Sequence, residues 1–365
     1  MDLGLKDKVI IVTGGSKGIG QGICEAIHAE GAIPVIVGRD EKTATALVAK
    51  FKENGGDAYN ITKELGTPES CQSSIEEVVK KYGKIDGLVN NAGVNDSVGL
   101  ENGSPEDFLS SMSKNLYHYY YLAHYAVPYL TETKESIINI SSKTATELVA
   151  KFKENGGDAF NITKELGTPE SCQSSIEEVV KKYGKIDGLV NNAGVNDSVG
   201  LENGSPEDFL SSMNKNLYHY YYLAHYAVPY LKETKGSIIN ISSKTATTGQ
   251  GGTSGYAASK GAQLSLTREW AVELLKYEIR VNAIVPAEVY TPLYKKWLDT
   301  FPNPEETLAE ITKNIPLGQR MTTIEEMGSM AAYLLSDKAS HITGQHMYVD
   351  GGYVHLDRAL AGNDR

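Results

Sequence analysis

Two groups of residues in this chain have types and spacings that can do chemistry. The first is Tyr256 and Lys260 in the stretch "YAASK". Four residues apart at the start of a helical pattern, they fall on one face of the helix. A free phenol titrates near about 10, so a tyrosine that acts as an acid/base at neutral pH needs help. A neighbouring ammonium favours the phenolate and lowers that value. The phenolate can then accept a hydroxyl proton while hydride leaves carbon. Ser243, at the end of the preceding predicted strand, is placed to hydrogen-bond the reacting oxygen. A bare pair with this spacing also occurs on helix surfaces. The second group is "TGGSKGIG", from Thr13 to Gly20, between an apolar run and an amphipathic helix. Its glycines permit a tight turn and let backbone N–H groups approach a pyrophosphate at a helix N-terminus. The plain alternative is an ordinary strand-to-helix turn.

The elements that position these groups alternate short β-branched runs with helical segments, the pattern of parallel strands joined by crossover helices. Strands are predicted at Val9–Thr13, Ile33–Val37, Ala159–Ile162, Gly188–Asn191, Ser237–Ser242, Ile279–Ile284 and His346–Val349. Helices between them include Gly18–Glu30, Pro169–Tyr183 and Ser254–Tyr277. The expectation is an α/β fold with one doubly wound, Rossmann-like parallel sheet of seven strands in a single domain.

One feature complicates that count. Residues 46–146 recur as residues 147–247, differing at Ala46/Glu147, Tyr59/Phe160, Ser113/Asn214, Thr131/Lys232 and Glu135/Gly236. Solenoid units are shorter and drift apart in sequence, so this reads as a duplication inside one domain. The first copy repeats strand candidates at Ala58–Ile61, Gly87–Asn90 and Ser136–Ser141. It also repeats an asparagine and a serine, Asn115 and Ser142, but "YAASK" with Tyr256 and Lys260 lies outside the repeat and occurs once. The second copy joins that pair directly. The expected core is therefore residues 1–45 plus 147–365, with residues 46–146 looped out. A competing threading uses residues 1–146, rejoins at Thr248 and expels the second copy.

Taken together, "TGGSKGIG", "NNAG" (Asn191 to Gly194, and Asn90 to Gly93), "NISS" and "YAASK" make the chain resemble the short-chain dehydrogenase/reductase family. The resemblance implies NAD(P)-dependent hydride transfer with Asn216, Ser243, Tyr256 and Lys260 as catalytic residues. Asn216 would bend its helix and hold a water linking Lys260 to solvent. The cofactor would be lined by Gly14, Ser16, Lys17, Gly18, Ile19, Gly20 and Arg39, and by Asn192, Ala193 and Gly194. Glu165 and Leu166 would mark the adenine pocket, and Tyr256, Lys260, Pro286 and Thr291 would face the nicotinamide end. Where the family shows Pro-Gly, this chain has Pro286-Ala287. Arg39 ends the second strand with a planar cationic fork suited to phosphate, and Lys17 adds a positive charge, which favours NADP. Asp40 keeps NAD open, since a carboxylate there suits ribose hydroxyls.

The finer resemblance is to L-fucose and related sugar dehydrogenases, carried by "GVNDSVGL", "NLYHYYYLAHYAVPYL", "PAEVYTPLYKKW" and "VDGGYVHLDRAL". It implies oxidation of an aldose hydroxyl to a lactone. Asn196, Asp197, Gln250 and Glu288 are candidate substrate contacts on loops at strand ends, although such residues also cap turns. Thr291 to Gly318, with Tyr294 and Trp297, reads as a helical lid. The tyrosine-rich run reads as core, and the resemblance implies a homo-oligomer through that helix and the Tyr256 helix.

Composition fits a globular enzyme, with 41% hydrophobic and 22% charged residues. A net charge of −11 argues against nucleic acid or an acidic membrane as partner. Cys24, Cys71 and Cys172 make no disulfide framework, which suggests a reducing, cytoplasmic setting. No spacing of His with carboxylates suggests a metal. The rival functions are a reductase of another carbonyl substrate and a cofactor-binding but inactive duplication variant.

Overall fold

A computed structural model describes residues 5–94, 96, 98–101, 103–130, 162 and 164–356. These fall in two compact units. One draws on Met1–Val98, Gly103–Ser136 and Val199–Leu210, the other on Gly99–Asn102, Ile137–Ser198 and Ser211–Arg365.

The first unit begins with β1 (Val9–Thr13), α1 (Gly18–Ala29), β2 (Ile33–Gly38) and α2 (Glu41–Glu53). Asp40 caps α2 by accepting from the Thr43 amide at 3.0 Å. The helix then buries Ala44, Leu47, Val48 and Phe51, a stripe at helical spacing that packs with Val12, Cys24 and Ile36. β3 (Tyr59–Thr62), α3 (Pro68–Tyr82), β4 (Gly87–Val89), α4 (Pro105–Met112) and α5 (His118–Leu130) follow. The sheet is parallel, in the order β3-β2-β1-β4, with Ile10 opposite Gly87 and Val35 opposite Tyr59.

The second unit contains α6 (Pro169–Tyr183), β5 (Gly188–Asn191), α8 (His219–Thr234), β6 (Ser237–Ile241), α9 (Ser254–Leu274) and β7 (Arg280–Pro286). The helix α7 (Pro206–Met213) precedes α8 in the chain. α10 (Pro292–Leu298), α11 (Pro304–Thr312), α12 (Ile324–Leu335) and β8 (His346–Val349) complete it. Its parallel sheet runs β5-β6-β7-β8. Ile239, Ile284, Leu334 and Ala339 form one core cluster, and Leu264, Ala283 and Val285 another.

Two expectations are corrected here. The single seven-stranded sheet is instead two four-stranded parallel sheets, because the strand "GLVN" occurs twice and each copy takes one partner: β4 pairs with β1, and β5 with β6. Residues 46–146 are not looped out, since β3 and β4 come from them and pair with β2 and β1. The reason is local. α2 runs unbroken from Glu41 to Glu53 across the start of the repeat, and leaving it there would open a helix interior. Continuing into the first copy keeps every helical hydrogen bond and needs only a short connection to β3. The core predicted from residues 1–45 plus 147–365 is thus divided, and the rival threading that expels the second copy also fails, because β5 and β6 belong to that copy. The strand candidate Ser136–Ser141, and Ala159–Ile162 except its last residue, lie outside the described residues.

Where both copies are described, the same words form the same helices. Thr67 caps α3 and Thr168 caps α6 by accepting from Ser70 and Ser171 amides, each with proline in the first turn, and the helices end at Gly83 and Gly184 in the left-handed region. Equivalent contacts also recur. Within the first unit the Tyr120 hydroxyl donates to the Gly200 carbonyl at 2.9 Å, and within the second the Tyr221 hydroxyl donates to that of Gly99 at 3.1 Å. Tyr220, Tyr221 and Tyr222 are buried, so this run is core of its own unit.

Candidate active site

The four predicted catalytic residues come together within the second unit. β6 delivers Ser243 to a short 3-10 turn, where its Oγ accepts from the Thr245 amide at 3.3 Å. Tyr256 lies in the first turn of α9 and hydrogen-bonds Ser243. Lys260, one turn on, is buried, and its Nζ donates to the Ile241 carbonyl at 2.8 Å, Gln263 Oε1 at 3.3 Å and the Tyr220 hydroxyl at 3.5 Å. Nζ stands 5.5 Å from the centre of the Tyr256 ring. Asn216 sits in a π-helical turn, Asn214–Tyr218, between α7 and α8. Its Oδ1 accepts from the Val195 amide at 2.7 Å, fastening the end of "NNAG", while its Nδ2 donates to the Ser212 carbonyl at 2.9 Å. Gly194 must lack a side chain here, because a Cβ would stand 2.8 Å from Asn216 Oδ1.

The electrostatics differ from expectation. Burial drives the Lys260 ammonium down to about 7, and no carboxylate is bonded to it among the described residues. Burial also raises the Tyr256 phenol, the Ser243 hydrogen bond opposes it, and Glu288 adds to the rise. Lowering of the phenol by Lys260 is therefore not seen in the free protein: desolvation of both groups outweighs it. His219, held between the Asn214 and Ala193 carbonyls, is pushed by burial down to about 4 and is neutral.

Sequence reasoning missed three neighbours. Gln263 is fully buried beside Lys260, and its position one turn along the same face was the available signal. Tyr220, which donates to the Ile241 carbonyl at 3.1 Å, was hidden in the aromatic run. Lys244, next to Ser243, forms an ion pair with Glu288, and both are largely buried.

Of the substrate candidates, Asp197 is buried, and its carboxylate accepts from Ser212 Oγ at 2.7 Å and Lys215 Nζ at 3.1 Å. Asn196 caps its own turn, accepting from the Ser198 amide at 3.2 Å. Gln250 is exposed on the loop before α9, and Glu288 follows β7. Pro286 ends β7, and Thr291 caps α10 by accepting from the Tyr294 amide at 3.1 Å. α10 and α11 form where a helical lid was expected, with Trp297 edge-on to Tyr294 and Phe301.

The residues expected to bind phosphate lie in the first unit. Gly14, Ser16, Lys17 and Arg39 line a cavity of about 330 Å³ with Glu64, Leu65, Asn91, Ala92 and Gly93. Thr13 Oγ1 accepts from the Asn91 and Ala92 amides at 2.9 and 3.0 Å, and Asn91 Nδ2 donates to the carbonyls of Thr13 and Gly14 at 2.9 and 3.3 Å. The first copy therefore supplies these contacts. The predicted Glu165, Leu166, Asn192, Ala193 and Gly194 belong to the second unit, and beside the loop after β1 stand their repeat twins. The residues fit a pyrophosphate. Gly14 and Gly18 have positive φ, a Cβ on Gly20 would stand 2.4 Å from the Gly14 carbonyl oxygen, and no side chain caps the N-terminus of α1. Ile19 projects into solvent at the same turn.

Comparison with known proteins shows the family. A family model described as short chain dehydrogenase matches residues 8–150, and one described as enoyl-(acyl carrier protein) reductase matches residues 143–354. The chain belongs to the short-chain dehydrogenase/reductase family of oxidoreductases, and its hydride carrier is NAD(P). It is 35% identical over 217 residues to a 3-oxoacyl-(acyl-carrier-protein) reductase of Thermotoga maritima, covering 59% of this chain and 85% of that one. To L-fucose dehydrogenase of Oryctolagus cuniculus it is 35% identical, covering 57% of this chain and 76% of that one. The solved L-sorbose reductase of Gluconobacter frateurii is 20% identical, with a TM-score of 0.50 covering 98% of this chain and 100% of that chain, a likeness of fold alone.

Proposed function

We propose that the chain oxidises a hydroxyl of an L-fucose-like aldose to the lactone, passing hydride to NAD(P). The observation that carries this reading is the buried Ser243–Tyr256–Lys260–Asn216 cluster of the second unit. Tyr256 accepts the hydroxyl proton, Ser243 orients the reacting oxygen, and Lys260 supports the charge developing on the phenol. Asn216 holds the loop at Gly194 and Val195 in place. The bound oxidised nicotinamide supplies the hydride acceptor and a positive charge. Within the second unit, Tyr256, Lys260, Pro286 and Thr291 would serve the nicotinamide end of the cofactor.

The sugar assignment rests on the names of the L-fucose dehydrogenase relatives and on the polar groups near Tyr256. Glu288 is close enough to raise the phenol, is paired with Lys244, and hydrogen-bonds Tyr294. A polyol needs several such donors and acceptors. Arg39 and Lys17 favour NADP over NAD.

The test is a panel of aldoses for oxidation and of β-keto thioesters for reduction, followed by dinucleotide absorbance. Turnover of aldoses, falling about a thousandfold in Tyr256→Phe, is the expected result. Turnover of the thioesters alone would replace the sugar with an acyl substrate. Dinucleotide binding without turnover on either set would sink the enzymatic reading.

A further inference from the structure

The resemblance to the family calls for a water between Asn216 and Lys260, yet a side chain makes that connection here. Gln263 is fully buried, its Nε2 donates to the Asn216 carbonyl at 2.6 Å, and its Oε1 accepts from Lys260 Nζ at 3.3 Å. A glutamine buried this deeply would be costly unless both ends of its amide were paired, and both are.

We propose that Gln263 is a positioning residue of the active site, tying the Lys260 ammonium to the π-turn carbonyl of Asn216 and so holding that ammonium in place. An ammonium has three donors. Those of Lys260 go to three neutral oxygens: the Ile241 carbonyl of β6, the Tyr220 hydroxyl of α8 and the Gln263 amide of α9 itself. The other titratable groups facing it are His219 of α8, which is neutral, and Tyr256. Glu288, beyond Tyr256, is paired with Lys244. Dipoles alone therefore keep the charge on Lys260, and Gln263 is the one side-chain amide among them. Losing it leaves a buried ammonium one acceptor short and the Asn216 carbonyl without that donor, which disfavours the charged form.

The test compares Gln263→Leu with Gln263→Glu in the full-length protein. The kinetic arm rests on the hydride-transfer reading. At neutral pH, Gln263→Leu should lower kcat about tenfold or more, with KM for the sugar within about twofold. The alkaline limb of its pH–rate profile, set by loss of the Lys260 proton, should move down by about one pH unit, whereas Gln263→Glu should move that limb up. A purely structural role would not shift one limb in opposite directions. The second arm needs no turnover. Between the folded value of Lys260, about 7, and the unfolded value near about 10.4, the unfolded chain binds more protons, so stability rises with pH. That rise should begin at lower pH in Gln263→Leu and at higher pH in Gln263→Glu, read by denaturant unfolding. If Gln263→Leu does not fold, the upward shift in Gln263→Glu decides alone. Shifts of the same sign, or none in a folded Gln263→Glu variant, overturn the proposal. A chain that turns over no substrate but shows the opposed stability shifts keeps it and loses only the proposed reaction.

Discussion

Arg39 illustrates how a residue's role depends on what already holds it. Its guanidinium Nη1 lies 3.3 Å from Glu64 Oε2, and Lys17 Nζ lies 2.5 Å from Asp40 Oδ2, so each cation that would attract a ribose phosphate begins with a carboxylate partner. Asp40 is anchored at the start of α2, where the Lys17 hydrogen bond and then the Thr43 amide hold its carboxyl down to about 2. A 2′-phosphate must draw Arg39 from Glu64 and then lies beside that second anion, whereas a free ribose disturbs nothing. Both partners are largely exposed, so the effect is modest and screened by salt. Glu64→Gln should tighten NADPH binding about fivefold relative to NADH, and Arg39→Leu should weaken it relative to NADH. Dinucleotide fluorescence titration measures both. A ratio unmoved by either change would mean that these side chains do not meet the 2′ position. Arg39, Lys17 and Asp40 were legible in the sequence because they follow β1 and β2 directly. Glu64 was not, since its twin Glu165 has the same neighbours, and only pairing in the sheet tells them apart.

At the scale of elements, much of the fold was readable wherever a cap or a stop accompanied the periodicity. Pro169–Tyr183 lies between Thr168 and Gly184 and forms as expected, and the strand candidates Val9–Thr13, Gly188–Asn191 and His346–Val349 have the bounds observed. What could not be read was the partner of each "GLVN" strand, because pairing is a long-range choice and the two copies offer the same side chains. One mismatch between the copies does carry information. Gly236, entering β6, stands where the first copy has Glu135, and a Cβ there would meet the Asp187 carbonyl oxygen at 2.4 Å and Leu231 Cδ2 at 2.7 Å. Backbone cannot yield as a flexible side chain can, so Gly236→Ala should cost about 1–3 kcal/mol. Gly249→Ala, with nothing within 4 Å of the added methyl, is the matched control. Thermal unfolding of the two variants makes the comparison, and an unchanged melting temperature in Gly236→Ala would show that this close approach is absent in solution.

Over the whole molecule, the two copies of the repeat have different neighbours. The first copy supplies Asn91, whose amide braces the glycine loop through the carbonyls of Thr13 and Gly14, while its twin Asn192 is exposed in the second unit. The second copy supplies Asn216 and Ser243 beside Tyr256 and Lys260, and Ser142, the twin of Ser243, lies outside the described residues. Sequence alone assigned both tasks to the second copy, because proximity to Tyr256 was the main asymmetry it offered. The pairing of β3 and β4 with the first strands puts the first copy beside the glycine loop and leaves Ser243 of the second copy beside Tyr256. Two matched pairs of substitutions follow. Asn91→Ala should weaken dinucleotide binding about tenfold by freeing the loop after β1, with Asn192→Ala within about twofold of the parent. Ser243→Ala should abolish most turnover, and Ser142→Ala should leave it unchanged. The two tests are independent, since binding is measured without substrate. If Asn192→Ala were the damaging change, the second copy would pair with β1 in solution. Were Asn91 and Asn192 equally sensitive, the near-identical copies would exchange places, with both threadings populated.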